Sequence, residues 1–194
     1  MGDFLGESRR RVEKENEKLA KLLDPNRFVF TVLIPSVKYP EHMEELLKFA
    51  ARHWKQTCLV TTNKPSAAII DMVGRLGLRT TSFLIVDAVS RGAGIERKDE
   101  NVIYISSPSA ITELGIRVGD ALERAEVEAV VFDSISALLI HAREPEVLEF
   151  VHILVSRARG RKVRAIFPVA REDLNTSAVK NLNMFADAVV DLGE

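Results

Sequence analysis

Cysteine is nearly absent from this chain of 194 residues: Cys58 is the only one. An internal disulfide is therefore excluded, and the composition suits a reducing cytosol. Long apolar runs are missing too, so no segment is expected to span a bilayer. The opening "MGDFLGESRRRVEKENEK" has no extended apolar stretch and does not read as a secretion signal. Charge of one sign is not in excess. The formal net charge is −1, which gives no general attraction to nucleic acid or to an anionic membrane. Glutamine is almost missing, with Gln56 alone among abundant Glu, Lys and Arg, a thermophile's composition. What remains is 46% apolar and 28% charged, the balance of one globular domain with a substantial core.

The first segment is charged and helical. Leu5, Val12 and Leu19 recur every seven residues in residues 1–25, with Leu22 and Leu23 behind them. The stripe is too narrow for a secure coiled coil. Two readings stand: a helix whose apolar edge docks on the body, or an arm that grips a second subunit. Asp24-Pro25-Asn26 ends the segment, and residues 26–194 read as a single domain.

Within that domain strands and helices alternate. "RFVFTVLI", "TCLVTT", "RTTSFLIVD", "VIYIS", "EAVVFD", "VRAIFPV" and "DAVVDL" read as strands. Helical patterns lie in "YPEHMEELLKFAARHW", Ala67–Leu76, "SPSAITELGIRVGDALERA", "PEVLEFVHILVSRAR" and "NTSAVKNLNMFA". This alternation predicts βαβ units, a mostly parallel central sheet and helices on both faces, a three-layer α/β/α fold. The strands ending at Thr62, Val86, Ser106 and Asp133 are expected to be parallel members of one sheet. Ligands of such sheets sit beyond the carboxyl ends of the strands.

Three strand ends carry suggestive groups. "CLVTT" runs into Asn63-Lys64-Pro65-Ser66, "FLIV" ends at Asp87, and "AVVF" ends at Asp133-Ser134. "VVFDSISALL" has the form of a Walker B strand, whose carboxylate holds magnesium in a working NTPase. The other reading of Asp133 is a carboxylate that only accepts local hydrogen bonds and starts the next turn. The order of elements over residues 58–192, with "VVFDSISALL" and the closing "ADAVVDL", resembles the RecA/KaiC-type P-loop ATPase domains, particularly archaeal members. The resemblance implies ATP and magnesium at the strand tips and, often, ring assembly. It also implies Asp133 as the magnesium ligand and Asp87 as the group that primes the attacking water. Asp87 and Asp133 would then be the catalytic pair, although Asp87 stands where the family has glutamate, and the reading favoured for Asp87 is a cap on the following "AVSRG" turn.

The departure is in "CLVTTNKPSAAIIDMV", residues 58–73, which contains no glycine. A phosphate loop needs G-x-x-x-x-G-K-[ST]. With Lys64 on the lysine, the loop would be the strand "CLVTT", and Pro65 would replace the hydroxyl residue. With Thr61 on the first glycine, Ser66, Ala67 and Ala68 replace G-K-[ST]. β-branched Thr61 and Thr62 resist positive φ, and Pro65 has no N–H to donate. A weaker anion or nucleotide site is still open on Thr62, Asn63, Lys64, Ser66, Asp133 and Ser134, where a helix start would offer free N–H groups. Its rival is a plain junction in which Asn63 caps the helix and Pro65 fills its first position.

Other signals are weaker. "RARGRKVR" holds Arg157, Arg159, Arg161, Lys162 and Arg164, which either answer a helix dipole or contact nucleic acid. His42, His53, His141 and His152 lack metal-ligand spacing, and Ser134 and Ser136 lack a nucleophile elbow. The expectation is a non-catalytic cytoplasmic regulatory or assembly protein on a degenerate ATPase scaffold, acting through a protein partner or as a homo-oligomer. An unorthodox ATPase using Asp133 and magnesium, and a nucleic-acid-binding accessory protein, are the alternatives.

Overall fold

The structure, a computed structural model, describes residues 13–193. Seven strands form one sheet: β1 (Val29–Ile34), β2 (Gln56–Thr61), β3 (Phe83–Asp87), β4 (Val102–Tyr104), β5 (Val127–Asp133), β6 (Arg164–Ala170) and β7 (Ala188–Asp191). Their spatial order is β4-β3-β2-β5-β6-β1-β7, and every adjacent pair is parallel. The four strands expected to share one parallel sheet do so. β3 and β4 are neighbours, paired parallel rather than as a hairpin.

Six helices follow the N-terminal segment: α1 (Tyr39–His53), α2 (Ser66–Arg75), α3 (Ile111–Leu122), α4 (Ile135–His141), α5 (Glu144–Arg161) and α6 (Ser177–Phe185). On one face of the sheet α3, α4, α5 and α6 cover Cys58, Val60, Val86, Phe132 and Phe167. On the other, residues 13–23, α1 and α2 cover Phe30, Val32, Leu59, Ile85 and Val131. Burial on both faces explains why strands such as β1 and β3 are buried at every position and mostly apolar, without alternation.

The charged first segment docks on this body over its described part. Residues 13–19 are helical, a 3₁₀ turn follows over Ala20–Leu23, and Leu19 and Leu22 are fully buried. Leu5 and Val12 lie outside the described residues. The Arg164 guanidinium donates to the carbonyls of Leu22 (2.8 Å) and Leu23 (3.5 Å), holding the segment's end on β6.

Local chemistry sets the helix ends. Gly77, just past α2, has φ +67°, the left-handed conformation that glycine reaches without penalty. α3 and α5 pack closely because α3 presents glycines to its neighbour. A Cβ at Gly115 would stand 3.6 Å from the Phe150 ring, and one at Gly119 would collide with the Arg157 guanidinium.

Candidate functional site

The sheet order locates the crevice. β2 and β5 are adjacent, yet β2 feeds α2 on one face while β5 feeds α4 and α5 on the other. Ligands of open α/β sheets bind where neighbouring strands send their chains to opposite faces. The carboxyl ends of β2 and β5 carry Thr61-Thr62 and Asp133-Ser134, so Thr62, Lys64, Asp133 and Ser134 of the sequence reading do come together here. A second divergence lies between β1 and β6. Glu172 bridges it, accepting from the Ser36 N–H (3.1 Å) and hydroxyl (2.5 Å).

Asp133 is 2% exposed. Its Oδ1 accepts from the Tyr39 hydroxyl at 3.1 Å. Burial pushes the Asp133 carboxyl above the ordinary aspartate range, outweighing the downward pull of the Lys64 charge and the Tyr39 bond. Burial and the facing carboxylate likewise raise the Tyr39 phenol. Tyr39 is the first residue of α1, delivered from β1, two strands away from β5. Sequence reasoning missed it because the contact exists only in this strand order. The available signal was a tyrosine at a helix start directly after a strand-end loop.

Ser134, joined to Asp133 by a cis peptide bond, caps α4, its Oγ accepting from the Ala137 N–H at 3.2 Å. Ser136 donates to Asp173 at 2.9 Å. Thr62 stitches the two strand ends together: its N–H donates to the Asp133 carbonyl (3.2 Å) and its hydroxyl to that of Ser134 (3.3 Å). The Thr61 hydroxyl closes the turn, donating to the Lys64 carbonyl (2.8 Å) and accepting from the Lys64 N–H (3.2 Å). "TTNKPS" is thus a side-chain-bonded strand-to-helix turn.

The start of α2 corrects the sequence reading. Asn63 is exposed and does not cap the helix; Pro65 occupies the N-cap position and Ser66 begins the helix. The Ser66 N–H is not free for an outside anion, because it donates to Asp87 Oδ2 at 2.6 Å. Asp87 also accepts from the N–H groups of Val89 (2.7 Å) and Ser90 (2.9 Å) and from the Ser90 hydroxyl (2.5 Å). Burial alone would raise the Asp87 carboxyl, but the bonds from Ser90 and Ser66 hold it below its ordinary range. β2 separates β3 from β5, so Asp87 is not a second carboxylate facing Asp133 across one gap.

The basic stretch is engaged internally. Arg157 lies over Gly119, Arg159 binds the Phe185 carbonyl (2.8 Å) and Asp187 (2.7 Å), and Arg161 pairs with Glu123. Arg164 holds the N-terminal segment, and Lys162 ends α5 in the left-handed conformation at φ 56°. Among the described residues no group of three or more His, Cys, Asp or Glu is arranged to hold a metal ion, and no helix is long and apolar enough to cross a membrane.

The fold is similar to that of the uncharacterized protein PH0321 from Pyrococcus horikoshii, whose crystal structure is a complex with an unknown peptide. That likeness has a TM-score of 0.66 at 14% identity and covers 90% of this chain and 82% of the other. No curated protein matches this sequence. The DUF7504 family, described as a family of unknown function, matches residues 41–192, which hold β2–β7 and the strand ends of the crevice but not β1 or Tyr39, and the chain belongs to that family.

Proposed function

We propose that this chain is a non-catalytic regulatory or assembly protein on a degenerate RecA/KaiC-like ATPase scaffold, working through contacts with a protein partner or with its own copies. The observation that carries this reading is the Tyr39 hydroxyl seated on Asp133. The one Walker B-like carboxylate is thereby sealed under a side chain from α1, at 2% exposure. A magnesium ligand must be ionised, and burial works against the charged form of Asp133, pushing its carboxyl above the ordinary aspartate range.

The residues present do not fit magnesium–ATP. The turns leaving β1, β2, β5 and β6 are "PSVK", "TNKP", Ser134 and "REDLNT", none with a glycine. A phosphate cradle is made of consecutive backbone N–H groups, several in conformations that glycine reaches at little cost. Here the first N–H of α2 is taken by Asp87, and Ser134 Oγ takes one at the start of α4. The neighbouring fold from Pyrococcus was solved with a peptide, which is in keeping with a role in protein contact.

Phosphate release by the purified chain with magnesium ATP should stay at background, and equilibrium dialysis should show no ATP retention. Turnover that disappears in Asp133→Asn would overturn the proposal.

A further inference from the structure

The first turn of α1 carries two side-chain contacts to other parts of the chain. No side chain caps it: the 3₁₀ turn Ser36–Lys38 runs into it, the Tyr39 N–H donates to the Ser36 carbonyl, and Pro40 has no N–H to satisfy. The two side-chain contacts, one turn apart, tie it to the body. Tyr39 reaches down to Asp133 Oδ1 at 3.1 Å, and His42 Nδ1 reaches sideways to Glu15 Oε1 at 2.6 Å. Both members of the second pair are buried, His42 at 4% exposure and Glu15 at 6%. Glu15 belongs to the N-terminal segment, whose other end is fastened by Arg164 to the carbonyls of Leu22 and Leu23.

We propose that residues 13–23 are a latch on the crevice: the Glu15–His42 contact steadies the start of α1, and the start of α1 keeps Tyr39 over Asp133. Loss of the Glu15–His42 contact loosens the start of α1 and uncovers Asp133. The latch thus regulates access to the same crevice discussed above. It rests on that crevice being the site, but not on its lack of turnover. Phosphate release and carboxylate access are separate measurements, and either proposal can fail while the other stands.

The test is modification of Asp133 by a water-soluble carbodiimide with an amine nucleophile, followed by peptide mass spectrometry on the full chain. In the unaltered protein Asp133 should be almost inert. Tyr39→Ala should raise its labelling several-fold by removing the cover. Glu15→Ala, which keeps a strong helix former in the segment, should also raise it several-fold. The double variant should add little to Tyr39→Ala alone, because both act through one cover. Cys58, fully buried, serves as a sentinel for unfolding through its reactivity with a thiol reagent. Unchanged Asp133 labelling in Glu15→Ala overturns the latch, as does unchanged labelling in Tyr39→Ala. So does a rise that Cys58 reactivity matches, since the opening would then be global. Local labelling of Asp133 with Cys58 still protected supports it.

Discussion

Asp87 and Asp133 end two strands that flank the same neighbour, β2, and both are buried. Their environments differ sharply. Asp87 accepts four hydrogen bonds, three from backbone N–H groups, and is held as an anion below its ordinary range. Asp133 has the Tyr39 hydroxyl on one oxygen, and burial drives it toward the neutral form. The chain after each strand explains the contrast. After β3 it curls back at once, turning Val89 and Ser90 toward the carboxylate, while α2 offers its first N–H from the side. After β5 it enters α4, and Ser134, not Asp133, caps that helix. One aspartate is thus part of the frame. The other is covered but not engaged to its full capacity, a better starting point for a ligand-responsive site. The contrast can be broken at either end.

The largest effect is expected at Asp87. Asp87→Ala leaves several buried donors without an acceptor, each costing about 1–3 kcal/mol. Water will recover part of that, so a loss of about 3–5 kcal/mol is expected in denaturant unfolding. In a domain of this size the melting temperature should fall by roughly 10 °C. A loss below about 1 kcal/mol would mean that Asp87 is not the structural member of the pair. Ser90→Ala sharpens the same point on a smaller scale. It removes one hydroxyl donor and leaves the three N–H bonds, so about 1 kcal/mol should be lost.

How far these roles could be read from sequence follows from the range of each interaction. The alternation of strands and helices is local, and it was legible. Helix α4 was not, because seven residues directly after a strand give too short a period to recognise. The gathering of Thr62, Lys64, Asp133 and Ser134 followed from the rule for strand ends. The roles within that group did not, since Tyr39 and Asp133 stand 94 positions apart in the chain. Asp87 as the partner of Ser66 needed the β2–β3 pairing. Glu15 was hidden in plain view among the charges of "ESRRRVEKENEK". Yet Val12, Glu15, Leu19 and Leu22 follow a 3-4-3 spacing, the period of one helix face. A carboxylate on an apolar stripe is a candidate for a buried partner, and His42 is that partner.

The smallest expected change, and the one most specific to the contrast, is that of Asp133→Asn. An amide keeps an acceptor for the Tyr39 hydroxyl and removes a charge that burial disfavours. At pH 7 the variant should be as stable as the parent or more so, by up to about 1 kcal/mol. The sign of the pH dependence separates the two carboxylates further. Asp133 binds its proton more tightly in the folded chain than in the unfolded one. Its contribution is therefore harmless below the ordinary aspartate range and turns against folding as pH rises through that range toward the raised folded value. Asp87 is the reverse: its contribution is present above the ordinary range and is lost as pH falls through the lowered folded value. Unfolding curves of parent and Asp133→Asn across mildly acidic pH should therefore nearly coincide at the acid end, where Asp87 controls both, and draw apart as pH rises, with the variant above. If the variant is the less stable at neutral pH, Asp133 must be held as an anion by contacts stronger than those from Tyr39 and Lys64, and the two aspartates would be structural alike.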